Sequence, residues 1–193
     1  MEEVKSNVEL HKKEEYTIFQ VAINLAIVCI VSGIIIAVTY FITAPIAAQK
    51  SIMLEQKAMQ DLVTNADTFE EIPDKEGWFE AKQAGEVIAY VVPASTKGYG
   101  GAIKMLVAVA TDGTVIDFDI LSSNETPGLG SNASKDSFRS QFVGKGSNAM
   151  TVTKDSTNTE NIQAMTGATI SSKAVTDGVK VALDEVNAFV GGN

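Results

Sequence analysis

Residues 86–121 read EVIAYVVPASTKGYGGAIKMLVAVATDGTVIDFDIL. Three apolar runs lie within this stretch: Glu86–Val92, Ile103–Ala110 and Val115–Leu121. Each has the length and the β-branched content of a strand. Asp112-Gly113 separates the second from the third, and that dipeptide favours the tight turn of a hairpin. Downstream, Asp136–Val143 is a candidate short helix and Ala149–Lys154 (AMTVTK) a further strand candidate. At the C-terminal end Val175, Val179, Ala182, Val186 and Phe189 recur at spacings of four and three, the stripe of an amphipathic helix, which Gly191-Gly192 ends. Ser171 or Ser172 is the candidate cap at its start. Residues 64–76 are polar and read as a loop. Strands bracketed by helices predict an α+β domain, with helices packed on an antiparallel sheet.

Upstream lies YTIFQVAINLAIVCIVSGIIIAVTYFITAP, residues 16–45, without a charged side chain. At about 1.5 Å per residue such a helix exceeds a hydrocarbon core of about 30 Å. Tyr16, Phe19, Tyr40 and Phe41 stand near its ends, where rings favour the membrane interface, and Pro45 marks the far end. A cleaved signal peptide would need a basic leading region, whereas the first 15 residues hold five acids against three lysines. A core helix of a soluble domain is usually shorter. The expected organisation is a polar tail at 1–15, one transmembrane helix at 16–45, an extension helix at 46–63 and a folded domain at 64–193. Lys5, Lys12 and Lys13 precede the span, and Lys50 and Lys57 follow it, a lean toward a cytoplasmic N-terminus. Gln20, Asn24 and Thr39 within the span either bond to neighbouring helices or are amides and hydroxyls tolerated in place.

Composition removes several classes. The 193 residues carry a net charge of −9, which argues against nucleic acid, since a binder needs a basic face. There is one arginine, Arg139. The single Cys29 excludes an intrachain disulfide and a cysteine zinc site, and reads as an apolar filler. The single His11 falls in the tail, which excludes a histidine base in the folded part. No bond-making catalytic residue and no metal ligand is assigned.

Three loops remain as candidate chemistry. Thr166-Gly167-Ala168-Thr169-Ile170-Ser171-Ser172 places four hydroxyls before the C-terminal helix, whose unpaired N–H groups and partial positive charge favour an anion. Such a run also serves simply to cap a helix. Asn124-Glu125-Thr126-Pro127-Gly128-Leu129-Gly130 has Pro then Gly at the centre of a type II turn. Gly98-Tyr99-Gly100-Gly101 permits close backbone approach, or is a flexible connection between strands.

In this order behind one apolar helix, GYGG, NETPGLG and TGATISS resemble the FMN-binding domain of the G subunit of the Rnf complex, an ion-translocating ferredoxin:NAD oxidoreductase. The likeness covers almost the whole chain. The C subunit of the sodium-pumping NADH:quinone reductase shares the flavin motif and is the alternative, as is a membrane-anchored flavin sensor.

The resemblance implies FMN joined covalently through a phosphoester to Thr169 by a separate flavin transferase that uses FAD and magnesium. Thr166 stands where many members have Ser. Gly167 and Ala168 leave the transferase room, and Ser171 and Ser172 are expected to donate to the phosphate. Glu125, Thr126, Gly128, Leu129 and Gly130 are expected on the isoalloxazine side, with Gly98, Tyr99 and Gly100 completing the pocket. A phosphodiester keeps one negative charge, which the helix start offsets. The resemblance further implies an electron carrier among the other membrane and redox subunits of the complex. It would be anchored in the lipid bilayer of a prokaryotic cytoplasmic membrane, with the flavin domain on the outer face.

Overall fold

The structure, a computed structural model, describes residues 17–191. The expected tail 1–15, Tyr16 and Gly192 lie outside the described residues. The chain divides into two compact units, Met1–Lys50 and Ser51–Asn193.

The described residues of the first unit are helical, formed by the leading part of α1 (Ile18–Leu62). From residue 18 to 50 every side chain but Ala44 is exposed, so this apolar helix is no core element of the chain. It is long and apolar enough to cross a membrane. Of Gln20, Asn24 and Thr39, two bond locally. Gln20 Oε1 accepts the Thr17 N–H at 3.1 Å, and the Thr39 hydroxyl donates to the Ile35 carbonyl at 2.8 Å. Pro45 lies inside α1 rather than at a break, and the expected extension helix is continuous with the span.

The second unit is built on a five-stranded antiparallel meander, β1 (Thr68–Glu71), β2 (Phe79–Gln83), β3 (Glu86–Lys97), β4 (Ala102–Ala110) and β5 (Val115–Ser122), paired in chain order. The expected hairpin at Asp112-Gly113 joins β4 to β5, with Gly113 at φ +81°. Strand β3 continues past Pro93. Its pairing with β2 ends at Phe79 opposite Val91, so the missing proline N–H falls where β2 has already stopped.

Both faces of the sheet are covered, which explains why β4 is a nearly unbroken apolar run. Ile103, Met105, Val107 and Val109 belong to a core shared with Val175, Val179, Ala182, Leu183 and Val186 of α3 (Thr169–Gly191). Leu106 and Ala108 face the other way, with Ala81, Ala89 and Val91, against Ala58, Met59, Leu62 and Val63. Phe118, Phe138 and Phe142 extend the first core, packed edge to face at centroid separations of 4.9 Å and 5.3 Å. Arg139, at the end of the short helix α2 (Asp136–Arg139), donates from Nε to Asp117 Oδ1 at 3.1 Å. It is thereby tied to β5.

The expected α+β class with flanking helices holds, with four local corrections. Residues 68–71 form β1 within the expected loop, and β2 adds a strand not foreseen. The helix at 136–143 is one turn, followed by further turns. Of the strand at 149–154, Val152–Thr153 (β6) pairs parallel with Ile162–Gln163 (β7), while Ser147–Ala149 is a 3-10 turn. Finally, α3 begins at Thr169, so Ser171 and Ser172 lie inside its first turn and neither is its cap.

Candidate cofactor site

Antiparallel order brings the end of β3, the start of β4 and the end of β5 to one edge of the sheet. The GYGG turn links the first pair, and the 124–130 loop leaves the third. The GYGG turn is closed by the Gly98 N–H donating to the Gly101 carbonyl at 2.7 Å. In the second loop the Leu129 N–H donates to the Thr126 carbonyl at 3.1 Å, and Gly128 has φ +76°, as a type II turn requires. Ser131 Oγ accepts the Gly128 N–H at 2.9 Å, and Asn132 Nδ2 donates to the Gly128 carbonyl at 2.7 Å. The loop is therefore rigid through its own bonds.

The third segment turns sharply into α3. Gly167 takes φ +74°, and a Cβ there would approach Leu129 Cδ2 to 3.1 Å. Ala168 N–H donates to the Met165 carbonyl at 3.0 Å. Ser172 is fully buried: its hydroxyl accepts the Met165 N–H and donates to the Ala168 carbonyl, both at 2.9 Å. Ser171 spends its hydroxyl proton on Glu125. Both hydroxyl protons are thus taken by protein acceptors. What α3 does offer is backbone. The Ser172 N–H is taken by the Ala168 carbonyl at 2.9 Å, but the N–H groups of Thr169, Ile170 and Ser171 open the helix without an acceptor among the described residues.

Between these segments lies a cavity of about 520 Å³, lined by Tyr99, Glu125, Thr126, Leu129, Gly130, Gly167, Ala168, Thr169, Ile170 and Ser171. All but Ile170 were expected from the sequence. Ile170 is an apolar residue inside a hydroxyl-rich run, 57% exposed, and that mismatch is the signal that could have placed it in the cavity wall rather than the core. Gly98, Gly100 and Ser172 are not among the lining residues. Gly128 and Thr166 line a separate polar recess with Asn132, Lys135 and Gln141. The two threonines of the TGAT run thus open onto different hollows, and Thr169 is the one inside the larger apolar site.

FMN is a planar tricycle carrying a ribityl phosphate, and the residues present suit it. The volume falls in the range of small-molecule sites, about 300–1,000 Å³. Tyr99, Leu129 and Ile170 supply exposed apolar surface for a ring. The opening N–H groups of α3 supply donors for one phosphate charge. Glu125 is the one charged residue in the lining. A site without a cationic side chain holds a free dianionic phosphate poorly, whereas an esterified phosphate is retained by the bond itself.

A family model described as the FMN-binding domain matches residues 98–184, which include every residue lining the cavity. The chain is 58% identical over 180 residues to the G subunit of the proton-translocating ferredoxin:NAD(+) oxidoreductase complex of Clostridium ljungdahlii, covering 93% of this chain and 97% of that one. It is 31% identical over 202 residues to the G subunit of the Na(+)-translocating ferredoxin:NAD(+) oxidoreductase complex of Acetobacterium woodii, covering 94% and 96%. Among solved structures, the C subunit of the Na(+)-translocating NADH-quinone reductase of Parabacteroides distasonis is similar, with TM-score 0.50 and 27% identity. That match spans 58% of this chain and 61% of the solved one. The fold and cavity are those of a flavin-binding domain of the FMN type. The chain belongs to the family of G subunits of ferredoxin:NAD(+) oxidoreductase complexes.

Proposed function

We propose that this protein is the electron-carrying G subunit of a membrane-bound, ion-translocating ferredoxin:NAD(+) oxidoreductase, working through FMN esterified to Thr169. The observation that carries the reading is the placement of Thr169. It is the first residue of α3, it lines the apolar cavity, and unpaired helix N–H groups surround it.

When bound, FMN supplies reversible electron uptake and release. The chain's own part is to hold and orient it. Thr169 would carry the FMN phosphoryl group, which the transferase would deliver from FAD with AMP as the leaving group and the threonine proton passing to solvent. Gly167 and Ala168 keep the approach to that oxygen narrow but open. Thr126, Leu129, Tyr99 and Ile170 wall the ring. Such a tether keeps the carrier at high effective concentration beside its redox partners. The apolar helix anchors the domain in the prokaryotic cytoplasmic membrane, with the flavin on the outer face and the other subunits of the complex as neighbours. A flavin transferase is the maturation partner. The ion path lies in partner subunits, because residues 18–49 contain no ionisable side chain other than Cys29 and Tyr40.

The test is a pair of variants expressed with the transferase. Thr169→Val removes in-gel flavin fluorescence and ferredoxin-dependent NAD reduction by the membranes, whereas Thr166→Val retains both. Fluorescence that survives Thr169→Val and is lost in Thr166→Val refutes the assignment.

A further inference from the structure

The three loop motifs meet on one buried carboxylate. Glu125 is 7% exposed. Its Oε1 accepts the Gly100 N–H at 2.8 Å, and its Oε2 accepts the Ser171 hydroxyl. These partners stand 25 residues before it and 46 after it. The neighbouring glycines are shaped to this side chain. A Cβ on Gly98 would come within 3.0 Å of Glu125 Cδ, and one on Gly130 within 2.9 Å of Glu125 Cβ. On Gly100 it would run into the Asn124 backbone. Gly98, Gly100 and Gly130 therefore make room for residues 124 and 125, where the sequence had pointed to room for a ligand. Both carboxylate oxygens are engaged by protein donors that lie on the two segments flanking the cavity.

We propose that Glu125 is a positioning residue: it clamps the GYGG turn and the first turn of α3 onto the 124–130 loop, and so holds the Thr169 hydroxyl and the cavity wall in register for flavin attachment and ring seating. The proposal rests on the flavin reading above. It assigns Glu125 to geometry rather than to direct contact with the ring. The clamp also turns the Ser171 proton away from the phosphate, which leaves the helix N–H groups as its donors.

Glu125→Gln separates shape from charge. Its amide oxygen still accepts from Gly100, and its N–H₂ donates to the Ser171 oxygen. Glu125→Ala removes both links, and Ser171→Ala removes one. The full chain is expressed in its host with the transferase and partner subunits. Attachment is followed by in-gel flavin fluorescence over time, ring seating by visible circular dichroism of the solubilised protein. Wild type and Glu125→Gln are expected to label within about twofold of each other, Glu125→Ala at least about tenfold more slowly, equivalent to about 1.4 kcal/mol, and Ser171→Ala between them. The flavin dichroism should collapse in Glu125→Ala and persist in Glu125→Gln. Wild-type labelling and dichroism in Glu125→Ala overturn the proposal, as does a folded Glu125→Gln that labels no better than Glu125→Ala. Should Glu125→Ala fail to fold, Ser171→Ala decides: labelling and dichroism identical to wild type refute the clamp. Unlabelled wild type refutes the flavin reading itself, which is a separate failure.

Discussion

Gly130→Ala tests the packing of the site without removing a polar atom. Gly130 is buried, and an alanine Cβ there would press on Glu125 Oε2 and Ser171 Oγ and lie 2.9 Å from Glu125 Cβ. Forcing a methyl into packed surroundings costs roughly 1–3 kcal/mol. Pushing Glu125 off a donor adds about 1.5–3 kcal/mol, the worth of a hydrogen bond to a charged group. About 2.5–6 kcal/mol together is a large part of a typical domain's stability, and near 3–4 °C per kcal/mol it lowers the melting midpoint by roughly 8–24 °C. Gly128 is the control. It has φ +76° but open space around its Cβ position, so Gly128→Ala carries only the left-handed backbone cost, about 1–2 kcal/mol. Thermal melts of the detergent-solubilised full chain, followed by far-ultraviolet circular dichroism, give the order. Gly130→Ala should melt below Gly128→Ala, and both below wild type. Since Gly130 has no positive φ, an argument from backbone freedom alone predicts the reverse order, and that result would refute the clamp geometry.

Thr96 is expected to tolerate Val with equal or higher melting temperature, because its buried hydroxyl has no hydrogen-bond partner among the described residues and an unpaired polar group costs about 1–3 kcal/mol. Ser172→Ala should lower stability by about 1–3 kcal/mol in urea unfolding, since it strands the Met165 N–H; a variant as stable as wild type contradicts the structural role given to that hydroxyl. The exposed Asp155 carboxylate accepts the Thr157 hydroxyl at 2.7 Å and the Thr157 N–H at 2.9 Å, which holds its pKa below the ordinary 3.8. Its contribution is complete above that ordinary value and fades as pH falls through the lower folded value. Asp155→Asn should therefore flatten part of the acid limb of the stability profile below about pH 4.

The sheet centre was legible because β3, β4 and β5 are apolar runs punctuated by a turn dipeptide. The edge was not: β1 is TFEE, largely exposed, and in β2 only Ala81 is fully buried, so neither carries an alternating pattern. Pro93 hid the second half of β3, since no local signal says that the strand beside it has ended. In the site, Thr169, Leu129 and Tyr99 were legible as motif residues. The buried engagement of Glu125 was not, because hydrogen bonds across 25 and 46 residues leave no local trace. The serines misled for a related reason. Hydroxyls before an apolar stripe look like caps, and only the start of α3 at Thr169 shows them bonded inward. The apolar helix was read from its length and its lack of charge, signals that need no tertiary context.

The most direct test is the mass of the tryptic peptide spanning residues 155–173, taken from chain purified with its complex from the native host. The account predicts an addition equal to FMN less one water, with fragmentation placing it on Thr169. An unmodified Thr169 in a host that possesses the transferase contradicts it.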